Sequence, residues 1–109
     1  MDDARFTDLF ESLGPIRTRR MFGGTGIYAE GVMFALEAYG EIYLKADAEA
    51  EPRYRAAGSH PFVYEKEGKR ATMSYWRIPD AALDDPEEAG RWGRIALDAA
   101  RRAAGRQRR

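Results

Sequence analysis

Arg19-Arg20-Met21-Phe22-Gly23-Gly24-Thr25-Gly26-Ile27-Tyr28 is the stretch on which the reading of this chain turns. An extended, basic lead-in from Ile16 to Phe22 gives way to Gly23, Gly24 and Gly26, which supply the permissive backbone of a turn or bulge. Ile27-Tyr28-Ala29 then continues as a strand. Moving outward, Gly26–Ala29, Val32–Ala38 and Glu41–Lys45 read as three strands. Glu30-Gly31 and Tyr39-Gly40 separate them as two-residue hairpin turns, with glycine where a positive φ is easiest. Phe62–Glu65 and Ala71–Arg77 form a second strand pair around the polar turn Lys66-Glu67-Gly68-Lys69, and Pro79 ends it.

Helical spacing flanks these runs. Phe6, Leu9, Phe10 and Leu13 mark a short amphipathic helix that Gly14-Pro15 stops. Asp47 to Gly58 reads as a second helix with Pro52 in its first turn, because proline lacks the donor that an interior position needs. Asp85 as N-cap, Pro86 at the first helical position and Glu88 three residues after the cap start a third, whose face carries Trp92, Ile95, Ala96, Ala99 and Ala103 to about Ala104. The order helix, three strands, helix, two strands, helix predicts an α+β two-layer sandwich, an antiparallel sheet with helices on one face.

A chain of 109 residues, 44% hydrophobic, buries one core, so residues 1–104 read as one domain and 105–109 as a basic tail. Five of the 18 basic residues fall in the last nine positions and none of the 18 acids does, so the body has five more acids than bases. An acidic body argues against direct binding to nucleic acid. The arginine-rich end could touch nucleic acid, dock on an acidic protein, or be a frayed helix end in favourable charge–dipole contact. The absence of cysteine excludes disulfide and thiol chemistry. The acidic N-terminus lacks an apolar signal core, and the longest apolar run, Val32 to Leu36, is too short for a bilayer, so a soluble cytoplasmic protein is expected.

Two sets of residues are candidates for function. With Ile27, Phe34, Leu36, Ile42 and Leu44 facing the helices, Tyr28, Met33, Ala35 and Tyr43 face the other way, joined by Met73 and Tyr75 or by Trp76. A helix-free sheet face carrying Tyr28, Met33, Tyr43, Met73, Tyr75 and Trp76 suggests an interaction surface, for a protein partner or a second copy in a homodimer. Ordinary half-buried packing is the competing account. The second set is Arg17, Arg19, Arg20, Gly23, Gly24, Gly26 and Arg77, a candidate contact for an anion or an acidic partner. Its glycine spacing matches neither a phosphate loop nor a dinucleotide fingerprint, and the arginines with Lys45 could equally form a solvated strand face paired with Glu37 or Glu65. His60 is the sole histidine, and Ser74 lies in a strand without a nucleophile elbow. No catalytic, metal or cofactor site is therefore assigned.

The stretch around Arg19–Tyr28, with Met33-Phe34-Ala35-Leu36, Tyr43-Leu44-Lys45, Pro61-Phe62-Val63-Tyr64 and Met73-Ser74-Tyr75-Trp76-Arg77-Ile78-Pro79, resembles the N-terminal domain of the TfoX/Sxy competence regulators from about Phe6 to about Ala103. The resemblance implies a fold similar to that of bacterial secretion chaperones. It also implies a non-enzymatic regulatory module that contacts protein, with the transcription machinery or a cyclic-AMP receptor protein-type regulator as partner. The helical C-terminal domain usual in that family has no counterpart in these residues. The alternative is a small anionic-ligand or nucleotide-binding protein, or an enzyme, using the glycine-rich turn and its arginines.

Overall fold

Three hairpins close on a residue followed by glycine, both in left-handed backbone: Glu30-Gly31 at φ 53° and 80°, Tyr39-Gly40 at 55° and 80°, and Glu67-Gly68 at 53° and 78°. That pair of positive φ values matches the right-handed twist of the strands it joins. The computed structural model describes residues 3–21 and 23–107. Along them run α1 (Asp3–Leu9), a 3-10 turn (Glu11–Leu13), β1 (Arg17–Met21), β2 (Gly24–Ala29), β3 (Val32–Ala38), β4 (Glu41–Lys45), α2 (Glu51–Ala56), β5 (Pro61–Lys66), β6 (Lys69–Arg77), a second 3-10 turn (Asp80–Ala82) and α3 (Pro86–Gln107). The strands form one antiparallel sheet in the order β1-β2-β3-β4-β6-β5.

The α+β sandwich expected from the sequence is present, with one more strand. The extended lead-in is itself β1, which pairs with β2 from Arg17 opposite Tyr28 to Met21 opposite Gly24. Its Arg-Thr-Arg-Arg-Met sequence hides the strand because an edge strand buries neither face fully and shows no apolar alternation. Asp85 caps α3, its Oδ1 accepting from the Glu87 amide at 3.0 Å, and the Glu88 carboxylate turns to Arg91 at 2.9 Å. The last helix runs through Gly105 to Gln107, beyond the boundary expected near Ala104.

One core lies between sheet and helices. Phe6, Phe10 and Leu13 from the N-terminal segment, Tyr54 from α2, and Trp92, Ala96 and Leu97 from α3 close over Ile27, Phe34, Ile42, Leu44 and Trp76. The Phe10 and Phe34 rings meet edge to face with centroids 5.2 Å apart. The Tyr54 ring lies 5.0 Å from Trp92 and 6.1 Å from Trp76, and its hydroxyl donates to the Lys45 carbonyl at 3.2 Å. Burial carries the Tyr54 phenol well above the usual tyrosine range, with the Asp47 carboxylate adding to the effect.

Two ion ties fasten the end of α3 to the loops that leave the sheet, the β4–α2 connection and the β2–β3 turn. Arg102 donates twice to Asp47, at 2.6 and 3.0 Å, and Arg101 pairs with Glu30 on the β2–β3 turn. These two arginines are therefore anchored, in contrast to the frayed end among the sequence expectations; Arg108 and Arg109 lie outside the described residues.

The Arg102 guanidinium, by its hydrogen bonds, holds the Asp47 carboxyl down at about 2, with the Ala50 amide helping. A folded-state value below the unfolded one, about 3.9, means that this contribution is full above pH 4 and is lost as pH falls through about 2. Because Arg102 is a third exposed, the contribution is roughly 1–2 kcal/mol. Arg102→Ala should lower stability by that amount near neutrality and flatten the fall in stability between about pH 4 and 2, measured by urea unfolding at stepped pH.

Candidate interaction face

Cross-strand register defines which side chains share the helix-free face. Arg19, Gly26, Leu36, Tyr43 and Arg77 stand in one row across β1, β2, β3, β4 and β6, and beside it Arg17, Tyr28 and Met33 form a second. Leu36 belongs to this face and Ala35 to the core, the reverse of the sequence expectation. The reason is a β-bulge: Ile27 pairs with Ala35 while Tyr28 pairs with Met33, so Phe34 is an extra residue. Phe34 and Ala35 both enter the core, and the alternation resumes in the opposite phase. The β6 ambiguity is resolved in the same way. Trp76 pairs with Leu44 and packs among the helices, with the Arg55 guanidinium 5.3 Å from its ring, so Met73 and Tyr75 are the β6 residues on the helix-free side.

A second apolar cluster occupies that side: Leu36, Tyr43 and Tyr75 are buried, with Met33, Ala38, Phe62 and Met73 packed around them. Phe62 reaches Tyr43, ring centroids 4.7 Å apart, because the β5–β6 hairpin is irregular: Pro61 faces Trp76 but Val63 faces Thr72. Three β6 residues are thus spanned by one on β5, which bends the hairpin. Burial pushes the Tyr75 phenol up to about 12, and the hydroxyl donates to the Met33 carbonyl at 3.4 Å. Lys45, its ammonium 5.1 Å from the Tyr75 ring and donating to Ser74 Oγ at 2.7 Å, has its pKa lowered by desolvation. Of the six aromatic and methionine candidates, Tyr28, Met33 and Met73 are the ones left half-exposed on this face. Met21 joins them unforeseen. Its methyl and the Met33 sulfur would lie 2.7 and 2.8 Å from a Cβ at Gly26, so the two thioethers roof that glycine.

The basic candidates divide. Arg77 is spoken for: Nε meets Glu41 at 2.7 Å and Nη1 meets Asp80 at 2.6 Å, which together raise its pKa, Asp80 most. Those partners are not the Glu37 or Glu65 of the sequence reading; Glu37 accepts from the Gly40 amide and Glu65 faces Arg70. Arg17, Arg19 and Arg20 are exposed on β1, and among the described residues none enters a salt bridge. The glycines serve backbone geometry. Gly23 takes φ 75° in the β1–β2 connection, Gly24 passes against the Glu37 carbonyl, and a strand follows them, where phosphate loops usually present a helix N-terminus. His60 is exposed at the rim of a cleft of about 320 Å³ beside Arg91 and Trp92. Among the described residues no three histidine, aspartate or glutamate side chains converge as metal ligands, and no helix is long and apolar enough to cross a membrane.

An antiparallel sheet with helices on one side and a methionine–tyrosine cluster on the other defines an α+β sandwich domain. The chain belongs to the TfoX N-terminal domain family, whose pattern matches residues 8–100. It is similar to DNA transformation protein TfoX1 of Aliivibrio fischeri (strain ATCC 700601 / ES114), 31% identical over 78 residues that make up 72% of this chain and 37% of that protein. It is also similar to Protein Sxy of Escherichia coli (strain K12), 32% identical over 92 residues, 82% of this chain and 43% of that protein. The chain thus spans less than half the length of these curated relatives.

Proposed function

We propose that this chain is a cytoplasmic regulatory module in the control of DNA-uptake genes, acting by protein contact rather than catalysis. The name of one relative, a DNA transformation protein, supports the link to DNA uptake. The contact surface is carried by one observation: Tyr28, Met21, Met33 and Met73 stand half-exposed on a sheet face that none of the described helices covers. Methionine and tyrosine are enriched where proteins meet, and flexible thioethers adapt to a partner's shape. The partner is the transcription machinery or a cyclic-AMP receptor protein-type regulator, and the same face pairs two copies when no partner is present.

The test is Tyr28→Glu/Met33→Glu in the native bacterial host, with protein abundance held equal. Transcription of DNA-uptake genes should fall at least tenfold, and sedimentation of the purified variant should show a shift from dimer to monomer. Unchanged transcription would overturn the assignment of this face. Micromolar ATP or GTP binding that disappears in Arg19→Ala/Arg20→Ala would replace the regulatory reading with a nucleotide-binding one.

A further inference from the structure

β1 lies at the edge of the sheet, with a strand neighbour on one side only. Its outer rim of main-chain donors and acceptors is what an added strand uses, and natural edges are blunted or covered for that reason. Here no described strand pairs with it, and three of its five side chains, Arg17, Arg19 and Arg20, are exposed and without an acidic partner among the described residues, with Thr18 and Met21 half-buried between and beyond them. A groove of about 770 Å³ lies at the start of the strand, where Leu13, Pro15 and Ile16 meet Arg17, Arg19 and residues 28–31 at the end of β2, whose Glu30 is already paired with Arg101.

We infer that the β1 edge is a docking site for an extended acidic segment of a partner protein, which joins the sheet as a seventh strand. Arg17 and Arg19 share the helix-free face because they are two residues apart, so acids at alternate positions of the incoming strand meet both. The residues between those acids turn towards Ile16, Thr18 and Arg20 on the other side. A second copy is the poorer occupant: two β1 strands side by side bring arginines against arginines, and like charges across strands repel. The charge pattern therefore selects an acidic partner and disfavours self-pairing at this edge.

This inference rests on the reading of the chain as a protein-contacting module. The probe is a fluorescein-labelled peptide of alternating glutamate and valine, seven residues long, followed by anisotropy and by amide hydrogen exchange. Three controls accompany it: the lysine–valine peptide, the glutamate peptide with proline at alternate positions, and a single-stranded oligonucleotide of equal charge. The expected result is binding of the glutamate–valine peptide alone and slowed exchange at the amides of residues 17–21. Affinity should weaken at least tenfold in Arg17→Gln/Arg19→Gln/Arg20→Gln, whose unchanged thermal midpoint shows an intact fold. Equal binding of the proline peptide or the oligonucleotide, protection elsewhere on the sheet, or no binding would each overturn the inference. Those failures are separable from failure of the regulatory reading, since the peptide assay reads binding to the purified protein at residues 17–21, whereas Met33→Glu alone, outside the groove, tests the regulatory face by transcription with Tyr28 and the three arginines in place.

Discussion

Gly24→Val should destabilise the domain by at least about 3 kcal/mol, enough to leave a small single-core protein largely unfolded at 37 °C. Gly24 does not have the positive φ that singles out Gly23. What forbids a side chain is space: a Cβ at position 24 would fall well inside 3.0 Å of the Glu37 carbonyl oxygen, with the Ala38 Cα at 3.4 Å. The obstacle is main chain of β3 and cannot rotate away, so β2 and β3 must separate at the start of their pairing. Gly23→Ala is the informative comparison. That position has nothing within 4 Å but φ 75°, so its cost is the left-handed penalty alone, about 1–2 kcal/mol. Chemical denaturation of both variants measures the difference, and a loss at Gly24 no larger than that at Gly23 would show that the close approach to β3 is relieved at little cost.

Trp92→Ala should cost about 3–5 kcal/mol. The indole, 8% exposed, packs on the Tyr54 ring in the seam between α2 and α3, and Tyr54 in turn packs on Trp76. Removing it takes away one support of a three-ring stack that joins both helices to β6. Calorimetric unfolding reads the loss as a lower midpoint, and a midpoint within a degree or two of the parent would contradict the placement of Trp92 in the core.

Trp92 was legible because its neighbours at helical spacing, Ile95, Ala96 and Ala99, outline one face of a capped helix. The hairpins were legible for a similar local reason, glycine at the left-handed turn positions. β1 was legible only as extended chain, since arginine at alternate positions carries no burial signal. The faces of β3 were misread at Leu36 and Ala35 because a bulge depends on the partner strand and leaves no mark in the residues that form it. On the candidate face, Tyr28 and Met33 were legible from strand alternation. Met21, Phe62 and the engagement of Arg77 by Glu41 and Asp80 depend on contacts between distant segments.

The extra residue at Phe34 also sets a rule for comparing this chain with its kin. On either side of it, odd and even positions exchange meaning: Met33 and Leu36 belong to one side of the sheet although they are three positions apart. An alignment that slips by one residue between 33 and 35 therefore equates a core position with a contact position along the rest of the strand. Substitutions tallied in such a frame would give hydrophobic constancy to the wrong face. A relative that has lost this residue would present the remainder of β3 inside out unless a compensating gain restores the phase.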